Sequence, residues 1–192
     1  AISEDGETIS LPHELVTVGP FGFRGCFLDR IDLPKSLIYI HEFAFAANRL
    51  RSLSLSSKLK TLGKGAFSHN KLRRVTIPSS IRILESEVFR LNKIRSIKFL
   101  GPMFKIGSCA FFGNLLKTLK LPRTLETVGD MAFANNRLES LTIQDRVTTI
   151  EKNAFMGNRL RTLIIPNGVK TIGTGAFKQN NLVAVAIPER FY

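Results

Sequence analysis

The sequence predicts a right-handed α/β solenoid of 22-residue repeats, with a parallel β-sheet along one wall and a few short helical turns elsewhere. Three observations predict it. A phenylalanine returns every 22 residues, an asparagine follows it at a fixed distance, and one alternation of apolar residues recurs in phase with both. The repeats run from about residue 9 to 188 within a single unit spanning 1–192, leaving a short lead (1–8) and a tail (189–192).

The phenylalanines are Phe23, Phe45, Phe67, Phe89, Phe111, Phe133, Phe155 and Phe177, and Ala precedes six of them. One ring per coil predicts a buried spine. Asn48, Asn70, Asn92, Asn114, Asn136, Asn158 and Asn180 stand three residues later, with Cys26 in that place in the first unit. An amide side chain has two donors and an acceptor, enough to tie neighbouring backbone turns inside a solenoid. Cys26 is expected there as a small buried apolar group.

The alternation Leu50-x-x-Leu53-x-Leu55 returns as Leu72/Val75/Ile77 and continues to Leu182/Val185/Ile187. Alternate side chains pointing inward make each L-x-L segment a short strand. Pro34, Pro78, Pro122, Pro166 and Pro188 follow these strands and, lacking an N–H, end the ladder. Nine such strands, from Ile9/Leu11 to Val185/Ile187, predict one parallel sheet of roughly 38 Å. A second apolar pair, as in Leu59/Leu62 or Val147/Ile150, lines the opposite wall, and the G-x-x-A-F stretch closes the coil as a compact turn. A lone unit cannot bury its apolar edge, but a stack of them buries a continuous core.

Lys and Arg number 28 against 15 Asp and Glu, a formal net charge of +13. That balance favours acidic partners: nucleic acid, anionic lipid heads, sulfated glycans or acidic proteins. Apolar runs of a few residues exclude a helix that spans a bilayer. The chain opens at Ala1 with no basic segment leading into an apolar one, which suits a mature product whose export signal has been removed.

Converging chemistry is missing. His13, His41 and His69 lack metal-ligand spacing, and the carboxylates are scattered. Gly63-Lys64-Gly65 and Gly173-Thr174-Gly175 resemble the start of a phosphate loop without its third Gly or its Lys-Ser/Thr, and there is no G-x-S-x-G elbow. No enzyme, metal or cofactor is expected. Cys26 and Cys109 fall about four coils apart, hence roughly 18–20 Å along the axis. A disulfide needs Cα atoms within about 7 Å, so the two cannot pair within one solenoid.

Two surface features are candidates for binding. Arg49/Arg51, Lys71/Arg73, Lys93/Arg95, Lys117, Arg137 and Arg159/Arg161 flank the inward Leu just before each strand, and stacking turns them into a basic ladder. Its rungs are roughly 5 Å apart at the backbone. Two unit charges at that distance repel by about 0.8 kcal/mol in water before screening, a cost that a bound polyanion would relieve. The second feature is the fifth coil, where Leu100, Phe104, Phe112 and Leu115 replace mostly polar residues of the other units. Left outside the core they would offer an apolar contact. The ends are expected to need caps, from the acidic Glu4, Asp5 and Glu7 at one side and Phe191 and Tyr192 at the other, or from self-association.

The strict period, the L-x-x-L-x-L core and the A-F-x-x-N turn resemble the BspA-like bacterial leucine-rich repeats, including the treponemal type. Asn stands where many members carry Cys, a departure that Cys26 partly repairs. The resemblance implies a leucine-rich-repeat solenoid in an exported or surface-associated bacterial protein, with attachment to host components among the family's roles. The expected function is a non-enzymatic module that binds a protein partner. The alternatives are a polyanion binder, with glycan, anionic lipid or nucleic acid on the basic ladder, and a structural spacer.

Overall fold

In the computed structural model, which describes residues 8–188, the chain winds through about eight coils of three walls each. The L-x-L wall carries the strands Thr8–Ser10, Arg30–Asp32, Arg74–Ile77, Ser96–Phe99, Thr118–Lys120, Ser140–Thr142, Thr162–Ile164 and Ala184–Ala186. Each pairing is parallel and offset by one repeat, as in Val75 opposite Ile97 or Leu119 opposite Leu141. Inward residues such as Val75, Leu119 and Leu163 are buried and their neighbours exposed, which is the alternation of the sequence made physical.

This wall differs from the expected sheet of nine strands. It is four separate pairs, and 52–54 carries no strand at all. The longest continuous ladder lies on the wall of the second apolar pair. There Ile83–Leu84, Lys105–Ile106, Thr127–Val128, Thr149–Ile150 and Thr171–Ile172 form five parallel strands, preceded by a ladder of three, Thr17–Val18, Tyr39–Ile40 and Thr61–Leu62. Two residues per strand suffice because each inward side chain (Ile40, Leu62, Leu84, Ile106, Val128, Ile150) is buried against the next.

Turns, rather than the expected short helical turns, close each coil. Residues at two fixed positions per coil have positive φ: Phe21, Phe43, Gly65, Glu87, Cys109, Met131, Asn153 and Gly175 in one column, and Gly25, Ala47, His69, Leu91, Gly113, Asn135, Gly157 and Gln179 in the other. Two left-handed residues four positions apart in each coil prevent a helix from propagating through the turn. The turn also directs alternate N–H groups toward the following coil: Phe43, Phe45 and Ala47 donate to the carbonyls of Lys64, Ala66 and Ser68 at 2.8, 2.8 and 2.9 Å. On the other walls bonds also run backwards, as from the Arg49 and Gly63 N–H groups to the Leu28 and Ile40 carbonyls at 2.8 Å. Each coil is therefore bonded to both neighbours.

The spine follows from that turn. Phe45, Phe67, Phe89, Phe111, Phe133 and Phe155 have no exposed surface, and the eight rings stack with centroids 5.3–6.0 Å apart and planes within 17°. That is offset stacking, which adds about 0.5–1.5 kcal/mol per pair to area burial. Beside it, every Asn makes the same set of bonds. Asn92 Oδ1 accepts the Leu72 N–H at 3.0 Å, while its Nδ2 donates to the Phe67 carbonyl one coil back at 2.9 Å and to the Phe89 carbonyl of its own coil at 3.3 Å. Burial of these amides is tolerated because both ends are satisfied.

Cys26 corrects the expectation of burial: it is exposed, with its thiol directed at the Arg24 carbonyl at 3.7 Å. It sits in the first coil, where Phe23 stacks on one ring only and is half-buried. The Asn column draws its burial from coils on both sides. The proposed caps at Glu4, Asp5, Glu7, Phe191 and Tyr192 lie outside the described residues.

Candidate binding surface

The glycine pairs that resemble a phosphate loop are parts of the coil. Gly65 holds a left-handed turn position at φ 61°, and a Cβ on Gly63 would fall 2.6 Å from the backbone of His41 and Glu42. Among the described residues no three His, Cys, Asp or Glu gather in a way that could hold a metal ion. Cys26 and Cys109 are both free, and burial pushes the Cys109 thiol above its ordinary pKa, away from the reactive thiolate.

The ladder residues follow one edge of the strand wall. Arg49, Arg51, Lys71, Arg73, Lys93, Arg95, Lys117, Arg137, Arg159 and Arg161 are all exposed. Backbone bonds lock the rungs together: the Lys71 N–H to the Leu50 carbonyl at 2.9 Å, Lys93 to Leu72 at 3.0 Å, Arg95 to Arg73 at 2.9 Å, Arg137 to Leu116 at 3.0 Å and Arg159 to Leu138 at 2.9 Å. The ion pairs among the described residues join Lys64 and Arg90 to Glu87, each at 3.5 Å, on the turn wall. None takes a ladder residue. Two positions interrupt the columns, Leu115 in one and Glu139 in the other, so the dense block spans the second to fourth coils.

At the head of that block the structure adds a cation that flank-reading misses. Arg30 is exposed on a strand face and joins Arg49, Arg51, Lys71 and Asp29 around a recess of about 370 Å³. Four cations and one carboxylate leave this recess strongly positive. The Arg49 guanidinium lies 5.1 Å over the exposed Phe27 ring, a cation–π contact that fixes the side chain without neutralising it. Lys98 and Lys120 are exposed on strand faces as well, one position along: each is the middle residue of its L-x-L segment, whereas Arg30 stands just before Ile31-Asp32-Leu33.

The four fifth-coil residues do not come together as one patch. Leu100 is exposed at the end of a strand, while Phe104, Phe112 and Leu115 are half-buried at three other places around the coil. Phe104 sits on the two-residue-strand wall, where its carbonyl accepts the Glu126 N–H at 2.9 Å. Phe112, in the turn beyond the spine, takes the Arg90 guanidinium at 5.4 Å. Leu115 leads the next strand, its N–H bonded to the Ile94 carbonyl at 2.9 Å.

Among the described residues no helix is long and apolar enough to cross a membrane. No curated protein sequence matches the chain. Of solved structures, a leucine-rich repeat protein from Bacteroides ovatus ATCC 8483 superposes with a TM-score of 0.79 at 24% identity, covering 95% of this chain and 49% of that one. The pneumococcal vaccine antigen PcpA superposes with a TM-score of 0.54 at 23% identity, covering 96% of this chain and 64% of that one. The chain thus spans about half the length of the first and under two thirds of the second, and at these identities the likeness is one of fold. The BspA type leucine rich repeat region matches residues 3–114 and 84–192, in six copies. Repeat by repeat and over nearly its whole length, the chain belongs to the BspA-type leucine-rich repeat family.

Proposed function

We propose that this chain is a non-enzymatic interaction module that holds an acidic protein partner along the basic edge of its strand wall. The observation that carries the reading is the ladder: ten exposed cations, held in register by the backbone and without an ion pair among the described residues. A family of repeat scaffolds supports the module, and a neighbour described as a vaccine antigen supports an exported or surface-associated setting. A core continuous from Leu11 to Ala176 supports treating residues 9–188 as one solenoid. Cations that repel one another in the free protein bind an acidic surface by charge complementarity, which raises the association rate and rejects basic partners.

Regular rungs of roughly 5 Å also suit a linear polyanion, so a sulfated glycan is the second reading. Retention on immobilised poly-glutamate and on heparin at rising salt separates the two. The natural chain is compared with a variant carrying Arg49, Arg51, Lys71, Arg73, Lys93 and Arg95 changed to Glu. Retention of the natural chain on poly-glutamate near physiological salt, lost in the variant, supports the acidic protein partner. Retention on heparin alone supports the glycan. Early and equal elution of both proteins from both supports overturns the ladder and leaves a spacer.

A further inference from the structure

Ser96–Phe99 and Thr118–Lys120 lie side by side with no ladder between them, as do Ser140–Thr142 and Thr162–Ile164, and at the first of these breaks, between the fifth and sixth coils, the strand wall carries a depression. The sequence sets this break apart from the others. Where Pro78 and Pro122 end their strands at once, the fifth coil runs on through Leu100 and Gly101 to Pro102. Gly101 presses on the coil before it, since a Cβ there would meet Ser79 at 2.6 Å. The inward residues of this strand have less cover than those beside them: Ile97 and Phe99 are half-buried, whereas Val75, Ile77, Leu119 and Leu121 at the same positions in the adjoining coils are buried.

What opens is a groove of about 530 Å³. Ile97, Phe99 and Pro122 are part of its apolar lining, and the exposed Lys98, Lys120 and Arg123 are its charged residues; no carboxylate lines it. The groove is shallow and open to solvent, and its apolar floor edged by cations alone selects an apolar group flanked by negative charge. The groove is also continuous with the ladder. Arg95 and Lys117 lead into the same two strands, so Arg95 is three residues, or roughly 10 Å, from Lys98. An extended segment lying on the ladder reaches it.

We propose that this groove is the specificity pocket of the surface, taking one phenylalanine- or leucine-sized side chain from an acidic peptide segment of the partner. Carboxylates on either side of that anchor pair with Lys98, Lys120 and Arg123. The proposal rests on the acidic-protein reading above and adds what that reading lacks, a reason to prefer one acidic segment over another. Long-range charge brings any polyanion to the edge, whereas the groove requires an apolar anchor at a set place.

Fluorescence anisotropy with two nine-residue probes tests it. One probe has a single Phe between four Glu on each side, and the other has Ser in its place. The natural chain binds the Phe probe about tenfold more tightly, as expected from shielding most of a phenyl ring from water. A variant carrying Lys98→Glu, Lys120→Glu and Arg123→Glu, all at exposed positions, keeps its unfolding midpoint and binds both probes equally. Equal affinity of the two probes for the natural chain, or an undiminished preference in the variant, overturns the pocket while leaving the ladder standing. Failure of the natural chain to bind either probe overturns the pocket and the acidic-partner reading together.

Discussion

The turn wall and the strand wall are built from the same 22-residue unit, yet one repeats faithfully and the other does not. On the turn wall every coil keeps its two left-handed positions and its stacked ring, and every coil after the first keeps its bridging Asn. On the strand wall the ladder breaks into pairs, one strand is missing, and cations, Leu115 and Glu139 alternate in the same columns. The difference teaches where the structural constraint lies. A buried amide with four backbone partners admits no substitute that satisfies them all, whereas a strand edge facing water admits nearly anything. Stability is concentrated in the turn wall, and the strand wall is free to acquire binding chemistry.

The comparison breaks most readily at the spine. Phe89→Ala removes a fully buried ring stacked on both sides and is expected to cost about 3–5 kcal/mol by denaturant unfolding. A loss below about 1 kcal/mol would mean that neighbouring rings close the gap and that the spine is not the main support. Next comes Asn92→Ala, which strands the Leu72 N–H and two carbonyls in the core. A cost of about 1–3 kcal/mol is expected, read in the same titration. If the variant matches the natural chain, relaxation or water satisfies these groups and the Asn column is dispensable.

Ala47→Gly sharpens the comparison from the favourable side. Ala47 is exposed and holds φ 56°, where glycine avoids a penalty of about 1–2 kcal/mol but gives back about 0.4–1 kcal/mol through a looser unfolded chain. A small net rise in unfolding midpoint is expected, and a fall would show that the turn holds no strain at this position. On the strand wall, Arg73→Gln is expected to move stability by no more than about 0.5 kcal/mol, since the side chain is exposed and outside any ion pair among the described residues. A loss as large as that of Asn92→Ala would erase the division between the walls.

Legibility in the sequence follows the same division. The Phe and Asn columns were readable because each is one residue type at one spacing, and the structure assigns them the burial and bridging that their chemistry demands. The left-handed columns were not, because Phe21, Phe43, Glu87, Leu91 and Met131 occupy positions that glycine would normally mark, held there by bonds to the next coil. Cys26 misled because column membership implies burial only where coils lie on both sides. In the fifth coil Leu100, Phe104, Phe112 and Leu115 are the residues that depart from the repeat, whereas Ile97 and Phe99, which line the groove, match the repeat pattern and carry no mark in it. The ladder was visible as flanking charge, while Arg30, Lys98 and Lys120 needed the strand register to be placed beside it.

The central claim is that the strand wall binds through its unpaired cations while the turn wall holds the fold. Its most direct test is the salt dependence of affinity for a glutamate polymer, measured by titration calorimetry on the natural chain and on the six-residue charge reversal, with unfolding midpoints recorded for both. The account predicts affinity that falls steeply with salt in the natural chain, no measurable binding in the variant, and midpoints that agree closely. Equal binding by the two proteins, or a variant that unfolds far earlier than the natural chain, would contradict it.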